Sequence, residues 1–431
     1  MSFYDELLAH CHVNTIDDFD SFVGIKADSE KAIVNFPIGY QLPKSEQELR
    51  MDILHLISVL NELTERMDNL FAMQKYDTPQ EVEFPIRAYM EIISSFMEQN
   101  GYYTEKVSEF KVGKLGKIDW ARTLRNKKPI IQANGTPAFV DYVIRVSAPN
   151  ERNMITQIHK FCVYESFKKL GWLFTPFLPD EPTIHRNEKM FLIALRNKLA
   201  NTNLDKDKRL FTAMISMLEY IDEKTMEKQF YFGTNRFEYV WEKLIDRAFG
   251  VKNKVEYFPK TRWALREGRN RTNAALEPDT IMLHSRKIYV IDAKYYKFGE
   301  TGIPSDLPES SSINKQITYG EYIASLQRFK NVYGEDVPVY NAFVMPYNSR
   351  ENHIGVNEIF VNIGEATGDW KTSGKTYERV QGILVDTRYL MHHYVGSQDN
   401  RIMMLAQSIS SAFNATGGVL PTGPAPNDAT V

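Results

Sequence analysis

Two aspartates and a lysine in the C-terminal half of the chain have types and spacing suited to chemistry. Asp279 lies in LEPDTIML, and both Asp292 and Lys294 lie in KIYVIDAKYY, with a short polar turn between the two segments. These β-rich segments predict an antiparallel hairpin, and a turn centred between Ser285 and Arg286 places Asp279 opposite Asp292. Because side chains alternate between the faces of a strand, Lys294 lies on the same face as Asp292.

Two facing carboxylates inside apolar strands predict a divalent cation. Like charges that face each other destabilise a sheet, so folding alone gives no reason for the arrangement. Mg²⁺ prefers oxygen ligands and usually takes one or two carboxylates together with water and phosphate. We therefore expect Asp279 and Asp292 to bind Mg²⁺, or Mn²⁺ in its place, and Lys294 to stabilise charge or position the attacking water. The alternative is a surface hairpin with an idle ion pair, which the apolar run IYVIDAKYY disfavours.

A helix that begins near Thr234 carries further carboxylates. The segment NRFEYVWEKLIDRAFG has apolar residues at helical spacing, and Gly250 ends it. On a helical wheel Glu238 falls inside the apolar arc, whereas Glu242 lies at its edge. An unpaired buried carboxylate is costly, so Glu238 needs a partner or a metal unless its head group reaches water.

A basic segment between this helix and the hairpin suits contact with a phosphate backbone. KTRWALREGRNR combines an aromatic residue, Trp263, with a high density of positive charge. An exposed charged hairpin without a ligand is the alternative. The candidate DNA-binding residues are Lys260, Arg262, Arg266, Arg269 and Arg271.

The spacing of these residues resembles the PD-(D/E)XK nuclease core. The resemblance rests on a helical glutamate, on Pro278-Asp279 in one strand and on Asp292-Ala293-Lys294 in the next. It implies a mixed four-stranded sheet flanked by helices that cuts phosphodiesters with magnesium. It also implies that Asp279 and Asp292 bind the metal, that Lys294 is the catalytic lysine, and that either Glu238 or Glu242 completes the acidic set.

Neighbouring segments are similar to the McrC-type restriction nucleases, particularly the LlaJI family of restriction endonucleases. Asn314-Lys315-Gln316 followed by Tyr319 resembles the helix after the catalytic strand, and KIDW at 117–120 resembles an upstream segment. Phe237-Glu238 and Val240-Trp241-Glu242 resemble the first nuclease helix. By this resemblance, which covers about residues 105–400, Gln316 orients the site or contacts the phosphate.

The family resemblance also implies partners. They are double-stranded DNA and a McrB-like AAA+ GTPase subunit that translocates DNA. Such a pair of subunits would form a restriction system, which is a form of antiviral defence. Self-association of the nuclease at cleavage is left open. The sequence has no Gly-x-x-x-x-Gly-Lys-Ser/Thr loop, which suits a nuclease subunit that depends on a separate motor. Two rivals are a stand-alone type II-like restriction endonuclease and a non-catalytic subunit for DNA binding or assembly.

Composition sets limits on these expectations. The 431 residues carry 52 Lys and Arg against 55 Asp and Glu, a net charge of −3, which excludes a protein that coats nucleic acid non-specifically. DNA contact must come from a local patch or a partner. The chain shows neither a signal peptide nor a membrane-spanning apolar run, so we expect a soluble, cytoplasmic protein that does not contact a membrane.

We predict a mixed α+β to α/β multidomain fold. Residues 1–150 form an N-terminal α+β domain that contacts a partner or DNA, 151–230 a helical linker domain, 231–400 the nuclease domain, and 401–431 a helix end with a flexible tail. An apolar heptad seam predicts a helix that packs inside its own domain or, alternatively, contacts the motor. The seam residues are Leu49, Ile53, Leu56, Leu60, Leu63, Met67 and Leu70.

Overall fold

A computed structural model describes residues 3–17, 19–27, 32–64, 82–83, 85–175, 177–222, 230–371 and 373–415. Its contacts divide the chain into two compact units, one of Met1–Lys26, Ile33–Pro79 and Gly233–Val431, the other of Ala27–Ala32 and Gln80–Phe232. This division differs from the predicted boundaries, because the N-terminal 150 residues do not form one unit. Within the described ranges, no helix combines the length and apolarity needed to span a membrane.

The second unit combines a small antiparallel sheet with a helical layer. The order of its three-stranded sheet is β5-β9-β6, and α3 packs against α5 and α7, while α6 packs against α7. Its helices are α3 (Ile86–Glu98), α4 (Trp120–Asn126), α5 (Met154–Leu170), α6 (Glu188–Ala200) and α7 (Asp205–Asp222). Its strands are β4 (Val82–Glu83), β5 (Glu105–Gly113), β6 (Lys117–Ile118), β7 (Ile130–Ile131), β8 (Pro137–Ala138) and β9 (Tyr142–Asn150). Strand β10 (Phe230–Thr234) leads out of this unit.

The first unit begins with short elements and ends with the larger sheet. Its helices are α1 (Phe3–Leu8), α2 (Glu46–Thr64), α8 (Phe237–Phe249), α9 (Phe298–Thr301), α10 (Ser310–Ser325), α11 (Gln327–Tyr333), α12 (Thr387–His393) and α13 (Asp399–Ala415). Its strands are β1 (Cys11–Val13), β2 (Val23–Ala27), β3 (Ala32–Phe36), β11 (Lys260–Ala264), β12 (Asn270–Ala275), β13 (Thr280–His284), β14 (Lys287–Ala293), β15 (Val339–Tyr347), β16 (Phe360–Ala366) and β17 (Val380–Asp386).

A five-stranded mixed sheet forms the framework of the first unit. Its order is β13-β14-β15-β17-β16; the pairs β14–β15 and β15–β17 are parallel, and the two outer pairs are antiparallel. One face packs on α10 through Tyr319 and Ile323. Tyr289, which points to the other face, contacts Ser410 of α13 through its hydroxyl at 3.1 Å. The sheet is therefore covered on both faces, which explains its almost uniformly apolar strands.

The heptad seam packs inside the protein. Leu49, Ile53, Leu56 and Leu60 on α2 are at most 1% exposed. For these four residues the burial agrees with the expectation of a helix packed in its own domain and disfavours a contact with a motor. The side chain of Leu63, together with Met67, Leu70 and the predicted flexible tail after residue 415, lies outside what the structure describes.

Candidate active site

The hairpin β13–β14 has the register that its sequence predicts. Thr280 pairs with Ile291 and His284 with Lys287. Ser285 and Arg286 have φ angles of 47° and 57°, the left-handed conformation at both central turn positions that matches the twist of a two-residue hairpin. Continued by one residue, the same register places Asp279 opposite Asp292.

The two aspartates are in contact in a largely buried place. Asp292 is 3% exposed. Burial, the contact with the Asp292 carboxylate and the nearby charge of Glu242 together raise the pKa of Asp279 to about 8. The Ala293 amide donates to Asp279 Oδ2 at 3.0 Å, which favours the ionised form but does not offset the other effects. The pair therefore has an excess of negative charge that a proton or a cation would neutralise.

Lys294 supplies a positive charge at the end of β14. Its Nζ lies 2.8 Å from Asp292 Oδ2 and forms an ion pair with it. The geometry is not that of a hydrogen bond, and Asp292 Oδ2 has no hydrogen-bond partner among the described residues. The backbone amide of Lys294 donates to the Val344 carbonyl at 2.9 Å, which continues the β14–β15 ladder past Ala293. Lys294 therefore neutralises part of the charge of the pair, and its ammonium is the contact that the described residues give to Asp292 Oδ2.

The structure places Glu242, rather than Glu238, in electrostatic contact with this pair. Burial raises the pKa of Glu242, and the charge of Asp292 raises it further. Glu238 instead lines a cavity together with Asp20 and Lys297. The helical wheel favoured Glu238 because a wheel shows only how far a residue lies inside the apolar arc, and not which other elements it contacts.

Trp241 explains why the next residue on the helix reaches the site. Its side chain is fully buried, and its indole N–H donates to the Val344 carbonyl at 3.2 Å, the same carbonyl that accepts from the Lys294 amide. This contact joins α8 to β15 at Val344, beside Lys294 at the end of β14. Trp241 and Glu242 belong to the segment that resembles the first nuclease helix, which was the sequence feature in favour of Glu242.

Helix α10 is attached to both strands that carry the aspartates. Gln316 Nε2 donates to the Val290 carbonyl of β14 at 2.6 Å, and the Tyr319 hydroxyl donates to the Glu277 carbonyl before β13 at 3.2 Å. Gln316 is only 1% exposed. Of the two expected roles for Gln316, burial favours orientation of the site, and direct contact with a phosphate stays a prediction.

Lys254 is a contact residue that sequence reasoning missed. Its ammonium donates to the Asp279 carbonyl and lies 2.9 Å from Asp246 Oδ1 on α8. The spacing of residue types in the sequence could not identify Lys254, because its partner beside the site is a backbone carbonyl, a group that every residue has.

The predicted DNA-binding residues lie on an exposed two-stranded hairpin, β11–β12, and its turn. Every residue from Lys260 to Arg271 is exposed, and Trp263 is 62% exposed and pairs directly with Arg271 across the two strands. Directly opposed residues point to the same face, so an aromatic ring and a guanidinium share one side of the hairpin. Arg269 also pairs with Glu267, which reduces its free charge.

A divalent cation fits the donors at this site. In the residues that the structure describes, no group of three or more His, Cys, Asp and Glu side chains is arranged to hold a metal. Mg²⁺ does not require one, because it commonly binds one or two carboxylates and keeps several waters. The fit therefore depends on the contact between the two carboxylates, on the raised pKa of Asp279, and on Asp292 Oδ2, which has Lys294 as an ion-pair partner but no hydrogen-bond partner among the described residues.

Comparison with known proteins supplies a family and several distant likenesses. A family model described as LlaJI restriction endonuclease matches residues 22–364. The type II restriction enzyme BsuMI component YdjA of Bacillus subtilis (strain 168) is 26% identical over 268 residues, 58% of this chain and 56% of that protein. The match therefore spans about half the length of this relative.

Two solved assemblies from Thermococcus gammatolerans also show likeness. One, of McrB AAA+ hexamers with bound McrC, has a TM-score of 0.35 at 16% identity and covers 91% of this chain and 83% of that chain. The other, the McrBC complex, has a TM-score of 0.23 at 16% identity and covers 55% of this chain and 69% of that chain. These scores are too low to establish a shared fold.

Proposed function

The chain belongs to the LlaJI restriction endonuclease family, and from that premise we propose that it is the Mg²⁺-dependent DNA endonuclease subunit of a restriction system. The observation that carries the proposal is the contact of Asp279 with Asp292 beside Lys294, at the end of a mixed sheet. We assign this sheet and its helices to the PD-(D/E)XK class, with two parallel strand pairs at its centre.

Asp279 and Asp292 would hold the metal. Mg²⁺ held there would contribute Lewis-acid chemistry, namely activation of a water for attack and neutralisation of charge on the scissile phosphate. Lys294 stabilises the charge that develops on the phosphate oxygens. Glu242, whose pKa is raised by burial and by the charge of Asp292, is the carboxyl group we assign to hold or accept a proton beside the metal ligands. Gln316 keeps the strand of Asp292 in place through the Val290 carbonyl.

The exposed hairpin β11–β12 would hold the DNA backbone. Arg262 and Arg271 provide charge on opposite faces, and Trp263 provides an aromatic surface next to Arg271. Phosphate contacts of this kind position a duplex without reading its sequence. The hairpin therefore explains how a chain of net charge −3 can bind DNA through a local patch.

A McrB-like AAA+ GTPase is the proposed partner, as the resemblance to McrC-type nucleases implies. The described seam residues of α2 are buried, whereas the second unit exposes large apolar side chains on and near β5, α4 and β7. Where such side chains form a contiguous patch, they are typical of protein-binding surfaces, and we assign the partner contact to this region. They include Val112 (54% exposed), Leu115 (89%), Leu124 (63%), Ile130 (58%) and Ile131 (63%).

Plasmid cleavage tests the function. Wild type, Asp292→Asn and Asp336→Asn are compared with Mg²⁺ or EDTA, each alone and with the AAA+ subunit and GTP. Asp336 is the matched control, since it is an exposed carboxylate paired with Lys375 outside the site. We expect Mg²⁺-dependent cleavage that requires the partner and falls at least about 100-fold in Asp292→Asn only. Equal cleavage by all three proteins would disprove the proposed site.

The same assay decides between this proposal and a stand-alone endonuclease. The relative YdjA is a component of a type II restriction enzyme, and the basic hairpin gives this chain a candidate DNA contact of its own. Site-specific cleavage by the purified chain without partner or GTP would favour the stand-alone enzyme. Absence of cleavage under every condition, with Mn²⁺ binding also absent, would favour a non-catalytic subunit.

A further inference from the structure

A lysine outside the proposed catalytic set connects two elements of the site. Lys254 follows α8, and its ammonium bridges the Asp246 carboxylate on that helix and the Asp279 carbonyl in front of β13. Its side chain is 25% exposed. The Lys254 ammonium thus joins the helix that carries Glu242 to the backbone of Asp279.

The backbone around Lys254 brings its side chain to this place. The Gly250 amide closes α8 on the Asp246 carbonyl at 2.7 Å, and the Val251 amide donates to the Ile281 carbonyl of β13 at 2.9 Å. A Cβ on Gly250 would lie 2.4 Å from Asp246 Oδ1, so glycine leaves room for the carboxylate that Lys254 binds. The loop therefore runs along the beginning of β13 in a defined position.

Asp279 needs such a support because its own environment opposes its charge. Its side chain is fixed on one side by the Ala293 amide, and the Tyr319 hydroxyl holds the backbone two residues earlier, at Glu277. Only Lys254 among these groups brings a positive charge to the backbone of Asp279 itself. Loss of this contact would leave the Asp279 carbonyl without the Lys254 ammonium and the Asp279 side chain less firmly placed beside Asp292.

We propose that Lys254 is a positioning residue that sets the placement of Asp279 relative to Asp292 and Glu242, and thereby the affinity of the site for a divalent cation. This inference rests on the proposed function, since it takes the aspartate pair as the metal ligands. Lys254 contacts the backbone of Asp279 and, through Asp246, the helix that carries Glu242, so its effect on the metal ligands is indirect. Removal of groups that orient metal ligands typically lowers metal affinity about 10–100-fold.

The test separates metal affinity from folding and from catalysis. Mn²⁺ binding by electron paramagnetic resonance, the Mg²⁺ concentration for half-maximal cleavage, the rate at saturating Mg²⁺ and the Tm are measured on the full chain. The variants are Lys254→Met, which keeps the length without the charge, and Lys254→Arg. The control is Lys371→Met, since Lys371 is a comparably shielded lysine 2.8 Å from Glu321 outside the site.

We expect Lys254→Met to weaken Mn²⁺ binding and to raise the half-maximal Mg²⁺ concentration about tenfold. The rate at saturating Mg²⁺ should stay within a few-fold, Lys254→Arg should restore most of the affinity, and Lys371→Met should bind as wild type does. If Lys254→Met does not fold, Asp246→Asn, which leaves the lysine in place but removes its helix partner, should weaken Mn²⁺ binding in the same direction.

Unchanged Mn²⁺ affinity in a folded Lys254→Met protein would overturn the proposal, as would an equal loss in Lys371→Met. Asp292→Asn distinguishes this failure from failure of the proposed function. If Asp292→Asn abolishes binding and Lys254→Met does not weaken it, only the positioning role is wrong. If wild type does not bind Mn²⁺, or Asp292→Asn binds it equally well, both proposals are wrong.

Discussion

Replacement of Asp279 by asparagine should stabilise the metal-free protein while it removes cleavage. The pKa of Asp279 is about 8 in the folded protein against an ordinary value of 3.8, chiefly because of burial and the contact with Asp292. Between about pH 4 and pH 8 the folded chain therefore binds a proton that the unfolded chain does not. By linkage, the free energy of unfolding falls as the pH rises through this window.

The size of this effect follows from the shift. One pKa unit corresponds to about 1.4 kcal/mol, so a shift of about four units sets an upper limit of about 6 kcal/mol on the cost of ionising Asp279 in the fold. Relaxation of the pair reduces this cost. We expect Asp279→Asn, which keeps the shape without the charge, to raise the free energy of unfolding at pH 8 by about 1–3 kcal/mol.

Urea unfolding from pH 5 to pH 9 in EDTA measures this prediction, with Asp336→Asn as the control. Wild type and the control should lose stability as the pH rises, and Asp279→Asn should lose less. Added Mg²⁺ should then stabilise wild type at pH 8 and leave Asp279→Asn unaffected, because ligand binding to the folded state adds to its stability. A less stable Asp279→Asn protein at pH 8 in EDTA, or a flat wild-type profile, would refute the reasoning.

Three further changes should have separable effects. Single-turnover rates should show that Glu242→Gln lowers cleavage about 100-fold, whereas Glu238→Gln stays within a few-fold of wild type. The reverse order would mean that Glu238, which the helical wheel favours, completes the acidic set. Gln316→Leu removes the bond to the Val290 carbonyl and should cost about 1–3 kcal/mol in urea unfolding, and an unchanged stability would contradict that anchoring role. Arg262→Ala and Arg271→Ala should each lower the slope of log affinity for DNA against log salt by about one, for every DNA sequence alike, and unchanged slopes would remove the hairpin from the interface.

Local patterns predicted the hairpin correctly. The register of β13–β14 depends on a two-residue turn and on the alternation of side chains, and both are properties of adjacent residues. For this reason the facing of Asp279 and Asp292 followed from sequence alone.

Long-range contacts lay beyond that reasoning. The choice between Glu238 and Glu242 depends on where Trp241 meets the Val344 carbonyl, about a hundred residues further along the chain, and a helical wheel contains no such information. The apolar seam of α2 could face its own core or a partner with equal periodicity, and only packing resolves that ambiguity. Lys254 was not visible at all, because its partner beside the site is a carbonyl group.

We propose that Asp279 and Asp292 hold a divalent cation and that Lys294 stabilises charge on the phosphate during phosphodiester cleavage. The decisive experiment measures Mn²⁺ titration and DNA cleavage together on wild type, Asp292→Asn and Lys294→Met. We predict that Asp292→Asn loses both binding and cleavage, whereas Lys294→Met binds Mn²⁺ and does not cut. Mn²⁺ binding by Asp292→Asn at wild-type affinity, or full cleavage by Lys294→Met, would contradict the account.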